Sequence, residues 1–121
     1  MEANPLALVI EDDPAQQKIF TKAIEMAEYT VEAIGDGKEA LERLKEIIPA
    51  LIILDLHLPR VSGDEILRYI RADDRFSSTS VMLATADPLL AETLHDQSDL
   101  ILLKPVSFTQ LRDLAIRLRS F

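Results

Sequence analysis

Five short apolar runs alternate with segments whose apolar residues recur at helical spacing, and this alternation limits the possible folds more than any other feature of the chain. The runs are Leu6 to Ile10, Tyr29 to Ile34, Ala50 to Leu54, Ser80 to Thr85 and Leu100 to Leu103. Each is too short for a buried helix and rich in branched residues, so each reads as a strand. The third is apolar throughout, the pattern of a strand covered on both faces. Between the runs lie helix signals. Asp13 as N-cap, with Pro14 at the first helical position and Gln16 at the third, opens a helix whose stripe is Phe20, Ala23, Ile24 and Ala27. Asp36 with Glu39 opens a second, with Ala40, Leu41, Leu44, Ile47 and Ile48 turned inward and Pro49 at its end. Ser62-Gly63-Asp64-Glu65 reads as a capping box before Ile66, Leu67 and Ile70. A polar loop from Asp73 to Thr79 follows, and a weak helical signal covers Leu89 to Asp96. Ser107 with Gln110 opens a last helix that buries Leu111, Leu114, Ala115 and Leu118 and exposes Arg112, Arg117 and Arg119.

Strand followed by helix, five times over, predicts an α/β fold: a doubly wound, five-stranded parallel sheet with helices on both faces. Right-handed crossovers leave few topologies, and the flavodoxin-like (βα)5 order 2-1-3-4-5 fits five strands. The 121 residues make a single domain, 1–121. Cysteine is absent and the histidines are two, His57 and His95, which excludes disulfides and argues against a site of soft metal ligands. The net charge of -8 disfavours direct contact with nucleic acid, which needs a basic face. No apolar stretch approaches a membrane span, and the first residues, Met1 to Pro5, have no basic leader region, so a cytoplasmic protein is expected. With three glycines in all, neither a dinucleotide fingerprint nor a P-loop is present.

The unusual residues fall at the carboxyl ends of the expected strands, where open parallel sheets bind ligands. Strand one ends in Glu11-Asp12-Asp13, strand three in Asp55, strand four in Thr85 and strand five in Lys104-Pro105. Taken singly, each has an ordinary explanation: acids cap helices, β-branched residues favour strands, and lysines snorkel at strand ends. Taken together they converge on one crevice. Two carboxylates about 4 Å apart repel by about 4 kcal/mol at an effective dielectric near 20, so they share a proton or recruit a cation. An all-oxygen donor set suits a hard ion such as Mg²⁺. A lysine and a hydroxyl facing the same point can hold phosphate oxygens, which makes phosphoryl transfer to Asp55 the chemistry indicated.

Leu8-Val9-Ile10-Glu11-Asp12-Asp13-Pro14, Leu54-Asp55-Leu56-His57-Leu58-Pro59 with Gly63, Ala84-Thr85-Ala86 and Leu103-Lys104-Pro105 resemble the receiver domain of two-component response regulators over essentially the whole chain. The resemblance implies that Asp55 takes a phosphoryl group from a histidine kinase or histidine phosphotransfer protein. It implies Mg²⁺ (or Mn²⁺) held by Asp12 and Asp55 directly, by Glu11 through water and by the backbone carbonyl of His57. Thr85, Ala86 and Lys104 would bind the phosphoryl group and switch, Lys104-Pro105 would be a cis peptide, and His57 and Asp87 would occupy positions that tune dephosphorylation. The output would be a protein contact or a fused output domain. Such a domain is no enzyme beyond its own phosphorylation and dephosphorylation, and none of these residues forms an output domain of its own.

Two departures stand out. The family's switch aromatic, three residues before the lysine, is here Ile101. The segment from Thr85 to Lys104 looks about three residues short, so helix four is expected to be short or irregular. The alternatives are a pseudo-receiver, an interaction module working without phosphorylation, and an aspartyl phosphatase of the haloacid-dehalogenase type. The latter wants a second aspartate where His57 stands.

Overall fold

The computed structural model describes residues 3–119; Met1, Glu2, Ser120 and Phe121, the ends of the expected 1–121 domain, lie outside them. The five strands are β1 (Leu6–Ile10), β2 (Thr30–Ile34), β3 (Leu51–Asp55), β4 (Ser80–Thr85) and β5 (Leu100–Leu103). All pair in parallel, in the order β2-β1-β3-β4-β5. The helices are α1 (Pro14–Met26), α2 (Gly37–Leu44), α3 (Gly63–Ala72), α4 (Pro88–Leu94) and α5 (Phe108–Arg119). The doubly wound, flavodoxin-like architecture is therefore as expected.

Two hydrophobic layers sandwich the sheet, and strand alternation assigns each residue to one of them. Leu8, Ile10, Ile52, Leu54, Val81 and Leu83 face α2, α3 and α4 with Leu44, Ile66, Leu67 and Ile70. Ala7, Val9, Leu51, Ile53 and Met82 face α1 and α5 with Phe20, Ile24, Leu111 and Ala115. Every residue of β3 is buried, because both faces of the central strand meet a helical layer. Tyr29 sits just before β2 and donates its hydroxyl to the Ala115 carbonyl at 2.9 Å, tying α5 to the sheet.

Several local expectations need correction. Helix α2 ends at Leu44 rather than running to Pro49, so Ile48 points outward and is 56% exposed. Ser62 stands at the N-cap of α3 but makes no cap hydrogen bond. Leu114 and Leu118 are only partly buried, and Arg112 is partly covered. The polar loop after α3 contains a 3-10 turn, Asp74–Phe76, whose Phe76 is wholly buried. Arg75 locks that turn: its guanidinium stacks over Phe76 and donates to the Leu44 carbonyl at the end of α2. Phe76→Ala is expected to cost about 3–5 kcal/mol, the usual loss for emptying a buried aromatic site, measured by urea denaturation.

Helix α4 is short, as expected, and its last turn is 3-10, His95–Gln97. It begins at Pro88, one residue earlier than its apolar spacing indicates, because Asp87 caps it: Oδ1 accepts from the N–H groups of Leu89 and Leu90 at 3.0 and 3.3 Å.

Candidate functional site

Strand pairing brings the chemical residues together. Ile10 pairs with Leu54, so Glu11 and Asp55 emerge side by side at the ends of β1 and β3. Asp55 pairs with Ala84, and Thr85 with Leu103, which delivers Thr85 and Lys104 to the same edge. The turn after β1 is held by a residue that spacing alone does not identify: Gln17, one turn into α1, donates to the Glu11 carbonyl at 2.9 Å.

Glu11, Asp12 and Asp55 each offer a carboxylate oxygen, and the three lie within 4.8 Å of one another. Glu11 is 1% and Asp55 2% exposed, while Asp12 faces solvent. The set is open on one side and built only of oxygen donors, which fits a hard divalent cation that keeps part of its water shell. Lys104 supplies the counter-charge: Nζ is 3.0 Å from Glu11 Oε1 and 3.4 Å from Asp55 Oδ1. Asp55 Oδ1 also accepts the His57 N–H at 3.2 Å. Burial pushes the Glu11 carboxyl up to about 7; Lys104 and the Asp13 N–H pull against it, and Asp55 adds to the rise. Burial of Lys104 would lower its pKa, but the hydrogen bond to Glu11 and the charges of Asp55 and Glu11 outweigh it and the net shift is upward.

Thr85 is fully buried. Its hydroxyl accepts the Asp87 N–H at 3.1 Å and lies 3.4 Å from His57 Nε2. Ala86 and Asp87 are exposed on the loop that follows, and His57 is an exposed loop residue. The Lys104-Pro105 peptide is cis. Ile101 is partly buried against the layer that holds Leu90 and Leu58. Asp87 is a helix cap as well as a loop residue, and the Asp87-Pro88 pair, which repeats Asp13-Pro14, is the signal that marks it. Gly63 was part of the motif, but its reason is visible only in space: a Cβ there would fall on the Asp55 carbonyl oxygen and 2.5 Å from the Leu56 Cα.

A buried carboxylate at the carboxyl edge of a doubly wound sheet, flanked by two acids, a lysine and a hydroxyl, defines the class of phospho-accepting signalling domains. Residues 7–116 match the response regulator receiver domain family, and the chain belongs to that family. Among its relatives, hybrid signal transduction histidine kinase D of Dictyostelium discoideum is 35% identical over 83 residues, covering 69% of this chain and 5% of that protein. The transcriptional regulatory protein TrcR of Mycobacterium tuberculosis is 33% identical over 121 residues, covering 98% of this chain and 46% of that one. The signal receiver domain of a signal transduction histidine kinase from Syntrophus aciditrophicus superposes with a TM-score of 0.84 at 28% identity, covering 96% of this chain and 90% of that one. The chain thus spans less than half of either of these two curated relatives. Among the described residues, no helix is long and apolar enough to cross a membrane.

Proposed function

We propose that Asp55 accepts a phosphoryl group from the phosphohistidine of a histidine kinase or a histidine phosphotransfer protein. The supporting observation is the convergence of Glu11, Asp12 and Asp55 within 4.8 Å with Lys104 bridging two of them. An Asp55 carboxylate oxygen bonds to phosphorus, the N–P bond to the donor imidazole breaks, and its electron pair returns to the ring nitrogen. Lys104, Thr85 and Ala86 hold the phosphoryl oxygens. Glu11, Asp12, Asp55 and the His57 carbonyl would hold Mg²⁺ (or Mn²⁺), which when bound neutralises the charge gathered there. The domain then catalyses only its own phosphorylation and dephosphorylation, and a protein target or a fused output domain reads the result. The net charge of -8 supports partners that are proteins rather than nucleic acid, and we read the domain as acting in the cytoplasm. No observation favours the pseudo-receiver reading.

The deciding test is intact-mass analysis after incubation with a small acyl phosphate and Mg²⁺. One phosphoryl adduct is expected, and its absence together with absent Mg²⁺ binding would sink the proposal.

The raised Glu11 pKa gives a second expectation. The folded state keeps a proton that the unfolded chain releases near 4.5, up to about 7. Protons bound by the native state then exceed those bound by the unfolded state, so stability of the metal-free protein falls as pH rises from about 4.5 to 7. The loss is up to about 3 kcal/mol. Saturating Mg²⁺ displaces that proton and flattens the slope. Denaturation midpoints from pH 4.5 to 8, with chelator and with Mg²⁺, check both the sign and the recovery.

A further inference from the structure

The Thr85 hydroxyl is engaged from two sides. It accepts the Asp87 N–H at 3.1 Å, and His57 Nε2 lies 3.4 Å away, at the outer limit of a hydrogen bond. Asp87 in turn caps α4 through Leu89 and Leu90, and Leu89 is 76% exposed. Ile101 carries neither a ring nor a hydroxyl that could follow a movement of Thr85. We propose that His57 is a positioning residue which, with the Asp87 amide, holds Thr85 in its resting orientation. The surface that changes on release is the first turn of α4, at Pro88 and Leu89. The proposal rests on the reading of Asp55 as phospho-acceptor.

A hydroxyl has one proton to donate. In the His57 tautomer that carries its proton on Nδ1, and with the Asp87 N–H occupying one lone pair of the hydroxyl, that proton goes to His57 Nε2 or to a phosphoryl oxygen, but not to both. A charged acceptor binds it roughly twice as strongly as a neutral one. His57 therefore keeps Thr85 only until Asp55 is phosphorylated. When Thr85 turns, the Asp87 amide loses its acceptor. The carboxylate on that same residue is the cap of α4, so the rearrangement reaches Leu89 without passing through residue 101.

The test uses the full chain with methyl-labelled threonine, as wild type, His57→Ala and His57→Gln, with and without acetyl phosphate plus Mg²⁺. Without donor, His57→Ala is expected to move the Thr85 methyl signal toward its phosphorylated position, an equilibrium change of about two- to tenfold, the worth of one neutral hydrogen bond. His57→Gln, which keeps a polar group at similar reach, is expected to restore the wild-type position. The Leu89 amide should move in step with the methyl. A Thr85 methyl unchanged in His57→Ala, while donor still shifts it, overturns the hold. A Leu89 amide that stays put when Thr85 moves overturns the surface assignment. If wild type gains no phosphoryl mass and its Thr85 signal is indifferent to donor, the Asp55 reading fails and this one falls with it.

Discussion

Asp55→Asn is expected to take no phosphoryl group from an acyl phosphate under conditions in which the wild type takes one. Asparagine keeps the shape of the side chain, and its Oδ1 can still accept the His57 N–H that meets Asp55 at 3.2 Å. It lacks the anionic oxygen that must bond to phosphorus, so the effect is loss of reaction rather than slowing. The same substitution should stabilise the metal-free fold. The Asp55 charge meets two carboxylates, Glu11 and Asp12, and one ammonium, Lys104 at 3.4 Å. Above about pH 7, where Glu11 has lost its proton, repulsion outweighs attraction, and neutralising Asp55 is expected to gain about 1 kcal/mol in chelator, a site strained for function. Intact mass reads the first effect and urea denaturation the second. An Asn variant that gains phosphoryl mass would move the acceptor elsewhere. One less stable than wild type in chelator would mean that the lysine contact dominates.

Gly63→Ala is expected to damage both the fold and the site, although it adds a single methyl group. The Cβ would overlap the Asp55 carbonyl oxygen and stand 2.5 Å from the Leu56 Cα, both backbone atoms with no rotamer to yield. Gly63 also donates its N–H to the Leu56 carbonyl at 3.2 Å, so α3 starts in contact with the end of β3. Relief requires withdrawing the helix or bending the strand, either of which displaces Asp55. Overpacking of this kind costs about 3 kcal/mol or more, and the remaining folded protein should phosphorylate poorly. Gly35→Ala is the control. Its Cβ would meet its nearest neighbours at 3.6 Å, an ordinary contact, and its φ is not positive. A change within about 0.5 kcal/mol is expected there. Equal losses at both positions would refute the packing argument.

These two residues also separate what is legible in the chain from what is not. Asp55 announces itself, because a carboxylate closing a five-residue apolar run has few structural reasons to be there. Its partners are legible for the same reason: Glu11, Asp12, Thr85 and Lys104 each follow an apolar run, and parallel strands put all such positions at one edge. Gly63 carries no comparable mark. Nor does Gln17, whose bond to the Glu11 carbonyl depends on how the first turn of α1 sits over the end of β1. Phe76 was hidden in a polar stretch, since a single aromatic shows no periodicity. Ile48 misled in the opposite direction, its apolar side chain extending the α2 pattern past the point where the helix stops.

The order of strands and helices, the covered central strand and the acids at the strand ends were determined by the sequence alone. Those features depend on the period of apolar residues and on punctuation by Pro, Gly and capping acids, which are local. Only the tertiary structure decided that Lys104 bridges Glu11 and Asp55, that burial lifts the Glu11 carboxyl to about 7, and that the Thr85 hydroxyl is shared between Asp87 and His57. Such contacts join residues up to 93 positions apart, at distances where a fraction of an ångström separates a hydrogen bond from none, and no local pattern encodes that.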